Sequence, residues 1–366
     1  MDRIPEAVDT PDVLIDRDVL GRNIERMAAA MRAKGLALRP HAKTHKVPEI
    51  AALQLAAGAA GLTVATIGEA EVFAAHGAQD LFLAYPLWVG PRQAERLRRL
   101  SATARISAGV DSAEAAAAMG EQLGDAAEDV AVLVEIDSGH HRSGVRPDAA
   151  ADVARAALRA GLRVEGVFTF PGHSYAPGMP AEAAAQEQQA LERASQKMRD
   201  GGFEVLRRSG GSTPSALLTE GSAATEARPG VYVFGDAQQL ELGRCAWEDV
   251  ALTVASTVVS RHEGGHGVPR RIVLDAGSKV LGTDRPAWAT GHGRLLDHPD
   301  ARITALSEHH ATVVWPEDRP LPALGDRLRV VPNHVCITMN LVDDVAVVRD
   351  GELLERWSVA ARGHNS

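Results

Sequence analysis

Lys43 stands between two histidines in the stretch LRPHAKTHK, Leu38 to Lys46. A lysine crowded by cationic or partly cationic neighbours has its ammonium form disfavoured. The free amine is a nucleophile that can form a Schiff base with an aldehyde. A lone lysine is far more often a solvated surface cation, so other residues must decide. SGGSTP, Ser209 to Pro214, supplies a second group. Its glycines let the backbone approach a ligand, and Ser212 and Thr213 add hydroxyls, which suits a phosphate; a plain Gly-Ser turn is the alternative. A nucleophilic lysine together with a phosphate turn points to pyridoxal phosphate, its aldehyde on the lysine and its phosphate in a backbone nest. NHVC, Asn333 to Cys336, is the third group. His334 and Cys336 are two apart, so on a strand both side chains share a face, and imidazole with thiolate suits Zn²⁺. A buried cysteine beside an incidental histidine is the commoner meaning of that spacing alone. Two protein ligands leave positions open for water or substrate, as in a catalytic metal site. Cys245 has no comparable pairing and reads as structural.

The elements that must position these residues alternate. Asp18 to Lys34 has apolar residues at helical spacing and Gly35 as a stop. Candidate strands follow the LALRPHAK run at 62–66, 81–86, 105–110, 131–137, 164–170, 203–210 and 230–235, most separated by Ala-rich amphipathic stretches. Strand–helix alternation repeated about eight times predicts a parallel (β/α)8 barrel of the TIM type. In such a barrel function gathers where strands run into the following loops. RPHAKTHK, DSGHHRSGV (137–145), PGHSY (171–175), SGGSTP and EARPGVYVFG (226–235) all fall at such places. After about Leu240 alternating segments without long helices predict an antiparallel β domain. The expected domains are 12–242 for the barrel and 243–363 for the β domain.

The bulk properties restrict the class. The 366 residues are 45% hydrophobic and 24% charged, as in a globular protein with a sizeable core. A net charge of −9 argues against nucleic-acid or acidic-membrane partners, while a local basic site for a small anion remains open. Two cysteines are no disulfide framework, so a reducing cytoplasm is expected. The N-terminal segment has early acids and no apolar core of a secretory signal, and no run of about 18 apolar residues predicts a membrane span.

The motifs RPHAKTHK, GGSTP, RPGVYVFGD, LDAGSKVLGTDRP and PNHVC together resemble the fold-type III pyridoxal-phosphate enzymes that include D-threonine aldolase and eukaryotic-type D-serine dehydratase. The resemblance covers about Asp12 to Gly363. It implies an alanine-racemase-like barrel, a D-serine dehydratase-like β domain, a homodimer, and a divalent metal near the cofactor. It implies Lys43 as the lysine bound to the cofactor, Arg142 near the phenolic oxygen, and His173 and Tyr175 near the ring or phosphate. Gly211, Ser212 and Thr213, with Gly230 and Val231 through their amides, would cradle the phosphate. Arg228 would face the pyridine nitrogen, with Glu226 as a competitor for that role, and His334 with Cys336 would hold the metal.

Within this family two reactions on D-3-hydroxy amino acids compete. Dehydration removes the α-proton and expels the hydroxyl, giving ammonia and a keto acid. Retro-aldol cleavage breaks Cα–Cβ and gives glycine and an aldehyde. Aldolases that resemble this chain carry aspartate at the second metal position, which suits Mn²⁺ or Mg²⁺, so Cys336 favours zinc and dehydration. Racemisation needs a second base, usually a tyrosine, and the β domain has none: the tyrosines are Tyr85, Tyr175 and Tyr232. A non-catalytic pyridoxal-phosphate carrier is the reading of another class, and the residues after Leu240 speak against it. Arg285 is a candidate for a substrate carboxylate.

Overall fold

The structure is a computed structural model that describes residues 4–218 and 223–366. The chain opens with β1 (Asp12–Asp16) and α1 (Arg17–Ala33). The strands β2 (Ala37–Leu38), β3 (Leu62–Val64), β4 (Asp80–Pro86), β5 (Arg105–Val110), β6 (Val130–Glu135), β7 (Arg163–Phe168), β8 (Arg207–Gly210) and β9 (Glu226–Ala227) follow. Between them run α2 (Pro48–Ala56), α3 (Ile67–Ala75), α4 (Pro91–Ser101), α5 (Ala113–Leu123), α6 (Ala150–Arg159) and α7 (Pro180–Asp200). The eight strands β2 to β9 form one parallel sheet, and a bridge between His41 and Thr63 joins its two ends, closing the barrel that the alternation predicts.

Local chemistry explains the elements. All six residues of β6 are buried, as expected for a strand covered on both faces. Thr66 caps α3 by accepting from Glu69 N at 3.0 Å, and Glu69 returns the contact by accepting from Ala65 N at 2.7 Å. Helices α5 and α6 pack closely: a Cβ on Gly120 would lie 2.1 Å from Ala160 O. Inside the barrel the filling is partly ionic. Arg39 pairs with Glu226 at 2.9 Å and Asp80 at 2.6 Å, while Arg207 pairs with Glu226 and Glu165, each at 3.0 Å. Above them Phe82, Leu133 and Phe168 form a buried apolar layer.

The eighth barrel strand is not where the sequence pattern puts it. It is the pair Glu226–Ala227, and Val231–Val233, within the expected strand 230–235, is a 3-10 turn. Pro229 and Gly230 separate the two; a proline cannot donate to a ladder and ends the pairing.

The other compact unit takes the N-terminal segment through Ile24, Thr44–Val47 and Val231–Arg362. It contains α8 (Ala237–Glu241), β10 (Leu252–His262), β11 (Arg271–Leu274), α9 (Ser278–Leu281), β12 (Gly293–Leu295), β13 (Arg302–Leu306), β14 (Ala311–Val314), β15 (Arg327–Pro332), α10 (Val335–Leu341), β16 (Asp344–Arg349) and β17 (Glu352–Ser358). The sheet is antiparallel except where β1, from the N-terminus, lies parallel to β16. The sequence pattern gives no hint of this strand's destination. NHVC also departs from expectation. It follows β15, with His334 as the N-cap residue of α10 and Cys336 in that helix's first turn. Among the described residues no helix is long and apolar enough to cross a membrane.

Candidate active site

A cavity of about 630 Å³ opens in the barrel unit, within the usual size range of small-molecule sites. Lys43, Arg142 and Arg228 line it, with Tyr85, Asp111 and Phe170. Lys43 sits in the 3-10 turn Ala42–Thr44 that follows β2, half buried. Its Nζ lies 5.9 Å from the centroid of the Phe170 ring, and Arg142 Cζ lies 5.1 Å from the same centroid. The loop carrying Arg142 is organised by Asp137, which accepts from the amides of Gly139 at 2.9 Å and His141 at 3.0 Å.

Arg228 is 4% exposed. Its Nε donates to Ser209 Oγ at 2.7 Å, another nitrogen donates to the Thr169 carbonyl, and its Cζ lies 5.7 and 5.5 Å from the Phe82 and Phe168 centroids. Burial lowers its pKa to about 10, against the opposing pull of Glu226, Glu187 and Glu135. Glu226 is committed elsewhere. Burial raises its pKa, but Arg39 and Arg207 outweigh this and hold it near 2. Of the two candidates for the pyridine nitrogen, Arg228 is the one that lines the cavity.

The turn after β8 differs in detail from the expected cradle. Gly211 has φ +78° and its amide donates to Glu187 Oε1 at 2.5 Å, while the Ser212 amide donates to Ser215 Oγ at 3.1 Å. The Gly211 and Ser212 amides therefore both have intramolecular partners. Three buried hydroxyls converge there instead: Ser212 Oγ lies 2.8 Å from both Ser174 Oγ and Ser215 Oγ. Thr213 is buried beside them in sequence, and Gly230 and Val231 are buried where β9 gives way to the turn. His173 and Tyr175 are not among the cavity-lining residues. His173 Nε2 is 2.8 Å from Gln186 Oε1, and the Tyr175 ring centroid is 6.3 Å from that of Phe170. Ser174, between them, is the residue of PGHSY that reaches the turn. A cavity with a lysine and two arginines in its wall fits an anionic aldehyde such as pyridoxal phosphate, and the hydroxyl cluster of the turn after β8 supplies donors suited to a phosphate.

Sequence reasoning missed Asn365, which lines the cavity. The segment Gly363–Ser366 lies on the barrel: Ser366 O accepts from Gly68 N at 2.9 Å and Arg96 at 3.0 Å, and His364 O accepts from Thr66 Oγ1 at 2.6 Å.

The second unit carries the other pair. His334 Nδ1 lies 2.5 Å from Asp284 Oδ2, and the histidine is hydrogen-bonded to Cys336. Burial works against a charged imidazole, but Cys336, Asp284 and Asp236 together raise its pKa well above the usual value. Asp236, fully buried as the cap of α8, is itself raised to about 6 by burial, opposed by His334 and the Gln239 amide. An anionic surround of this kind suits a cation. Asp284 fixes one ring nitrogen, which leaves the other for a metal. Among the described residues no group of three or more His, Cys, Asp or Glu side chains is arranged to hold a metal ion. Cys336 Sγ donates to Thr44 Oγ1 at 3.4 Å, and Thr44 is the residue after Lys43. Asp236 and Asp284 were legible in principle: they are the aspartates of RPGVYVFGD and LDAGSKVLGTDRP.

Residues 15–238 match the family model of the alanine racemase N-terminal domain, and residues 251–348 match that of a serine dehydratase domain. The chain is 38% identical over 359 residues to D-threo-3-hydroxyaspartate dehydratase of Delftia sp. strain HT23, covering 91% of this chain and 92% of that one. It is 34% identical over 367 residues to D-threonine aldolase of Arthrobacter sp., covering 97% and 93%. The solved structure of the Delftia dehydratase superposes with a TM-score of 0.88 at 33% identity, covering 96% and 97%. Two mutant structures of D-threo-3-hydroxyaspartate dehydratase match with TM-scores of 0.87 and 0.86, at 32% and 33% identity, covering 96% of this chain and 97% and 95% of theirs. One has a cysteine changed to alanine and is in the metal-free form; the other has a histidine changed to alanine, two positions earlier. The chain belongs to the fold-type III pyridoxal-phosphate family of the D-threonine aldolases and D-3-hydroxyaspartate dehydratases, enzymes of the lyase class.

Proposed function

We propose that this enzyme dehydrates a D-3-hydroxy amino acid to ammonia and a keto acid, using pyridoxal phosphate and zinc, as a cytoplasmic homodimer. The observation that carries the reading is the thiol of Cys336, hydrogen-bonded to His334 at the start of α10, as the candidate second metal ligand in place of an aspartate. A thiolate selects zinc over harder cations. The metal-free cysteine mutant of D-threo-3-hydroxyaspartate dehydratase, with its histidine partner at the same spacing, supports the same assignment.

When bound, pyridoxal phosphate supplies an electron sink for charge at the substrate Cα, and zinc on His334 and Cys336 supplies a Lewis acid for the β-hydroxyl. Lys43, in the cavity wall, would hold the cofactor through its Nζ and, as a free amine, would serve as the base for the α-proton. Arg142, in the same wall, would orient the phenolic oxygen. Arg228, fixed by Ser209 and Thr169, would be the residue that meets the pyridine nitrogen. A guanidinium there would keep that nitrogen largely unprotonated and the sink weak, which is why a Lewis acid at the β-hydroxyl would matter. Asp284 holds the His334 ring in the orientation and tautomer that a metal ligand needs.

The test is a product assay with D-serine, D-threonine and D-3-hydroxyaspartate. Keto acid and ammonia are expected, and a chelator should stop turnover while leaving the visible absorbance of lysine-bound cofactor. Glycine and an aldehyde would replace this reading with retro-aldol cleavage, the alternative favoured by the 34% identity to D-threonine aldolase.

A further inference from the structure

Helix α7 carries a buried carboxylate that the proposed reaction does not use. Glu187 is fully buried, and its Oε1 accepts from Gly211 N at 2.5 Å. The fit is tight: a Cβ on Gly210 would lie 2.3 Å from that oxygen and 3.3 Å from Leu191 Cδ1. This explains why the turn needs two consecutive glycines. The first leaves room for the carboxylate, and the second takes a positive φ of 78°. The other oxygen, Oε2, is buried and has no hydrogen-bond partner among the described residues. Such a group is costly in a core that an apolar side chain could fill, so its position calls for a role.

We propose that Glu187 is a positioning residue for the cofactor's phosphate: it grips the Gly211 amide from behind the turn, so fixing the Ser212 and Ser215 hydroxyls, and does so as the neutral acid when the phosphate is in place. The inference rests on the turn after β8 being the phosphate cradle. Two anions cannot share a buried site cheaply, whereas a protonated Glu187 still accepts from Gly211 N and has an O–H to donate. The proton comes from solvent and adds to the carboxylate as the phosphate enters. Burial already pushes the Glu187 pKa up to about 7, opposed by the Gly211 amide and by Arg228. Arg228 is the charged group acting on it, and Arg228 is in turn shared with Glu226 and Glu135.

The experiment measures cofactor affinity of the full-length protein by titration of its visible absorbance from pH 6 to 9, with calorimetry in two buffers of different ionisation enthalpy. Wild type, Glu187→Gln, Glu187→Leu and Ser212→Ala are compared, each with pyridoxal phosphate and with pyridoxal. Above pH 7 wild type should take up a proton that Glu187→Gln does not. The wild-type affinity should fall relative to Glu187→Gln by up to about tenfold per pH unit. Glu187→Leu strands the Gly211 amide and should weaken pyridoxal phosphate roughly tenfold or more, with little effect on pyridoxal. Glu187→Gln serves as the isosteric control for folding. Equal proton uptake in wild type and Glu187→Gln would overturn the proposal, as would wild-type affinity in Glu187→Leu. If Ser212→Ala also leaves pyridoxal phosphate affinity unchanged, the cradle assignment falls with it. If Ser212→Ala weakens the phosphate-bearing ligand alone, only the role of Glu187 is lost.

Discussion

Replacing Glu226 by glutamine keeps its size and removes the charge that Arg39 and Arg207 face inside the barrel. The carboxylate side chain is 5% exposed and lies 2.9 Å from Arg39 Nε and 3.0 Å from Arg207. Although burial acts in the other direction, the two arginines bring its pKa from 4.5 down to about 2. At about 1.4 kcal/mol per tenfold, that fall corresponds to roughly 3 kcal/mol of stability at neutral pH. Arg39 keeps Asp80 and Arg207 keeps Glu165, so neither cation is stranded, and Glu226→Gln is expected to cost about this 3 kcal/mol and no more. The sign follows from the lowered value. The contribution is complete above the unfolded pKa of 4.5 and disappears as pH falls towards 2. Urea unfolding of the full-length protein at pH 7 should therefore show the full gap between wild type and variant, and the gap should narrow from about pH 4.5 downwards. Cofactor titration should show little change, since Arg228, and not Glu226, lines the cavity. A gap that stayed constant on acidification would refute the ionic argument. Loss of cofactor affinity with unchanged stability would return Glu226 to the pyridine nitrogen and remove Arg228.

The remaining predictions test single positions. Lys43→Ala should abolish the visible absorbance of lysine-bound pyridoxal phosphate; persistence of the colour would show that another amine carries the cofactor. Cys336→Asp should shift the metal that best restores activity from zinc towards Mn²⁺ or Mg²⁺, checked by adding each cation to chelated enzyme; an unchanged zinc preference would detach metal choice from Cys336. Gly68→Ala places a Cβ 2.9 Å from Ser366 O and 3.1 Å from His364 Cβ. The helix itself should gain up to about 1 kcal/mol from alanine, so a raised KM with undiminished stability would report displacement of Asn365 from the cavity wall, and an unchanged KM would deny it a role.

The sequence showed the barrel where burial imposes a simple pattern. Parallel strands covered on both faces, such as Val130–Glu135, read as apolar runs, and Ala-rich helices separate them. The pattern failed where a strand carries an interior charge. Glu226–Ala227 is a strand because Glu226 answers two arginines that come from other strands or their ends, and no local rule reveals that. NHVC failed for a related reason. A spacing of two satisfies a strand, but the chain turns into α10 at His334, and the pair is assembled by a helix start. Lys43, His334 and Cys336 stand out in the sequence because their chemistry is singular, and the structure puts Lys43 in a cavity wall and His334 beside Cys336. Their supports do not stand out, because a glutamate such as Glu187 on a long polar helix reads as a solvated face until the turn it touches is known.

The residues missed share a physical character that bears on how the site works. Glu187, Glu135, Asp236 and Ser174 are buried polar groups placed behind the residues that would meet ligand. Burial raises the carboxyl pKa values of Glu187 to about 7 and Asp236 to about 6, and raises that of Glu135 as well. A barrel filled only with aliphatic side chains could not hold Arg228 in place, because a buried guanidinium without anions nearby is too costly. A full complement of ionised acids would instead repel the cofactor's phosphate. An acid poised near neutrality, as Glu187 is at about 7, satisfies both demands. As a carboxylate it adds to the pull of Glu226 on Arg228, and on the proposal above it accepts a proton when the phosphate arrives. On this argument the ionic interior of the barrel is the condition for binding an anionic cofactor in a protein whose net charge is −9, and replacing it wholesale by leucine and valine would yield a barrel that folds and holds no pyridoxal phosphate.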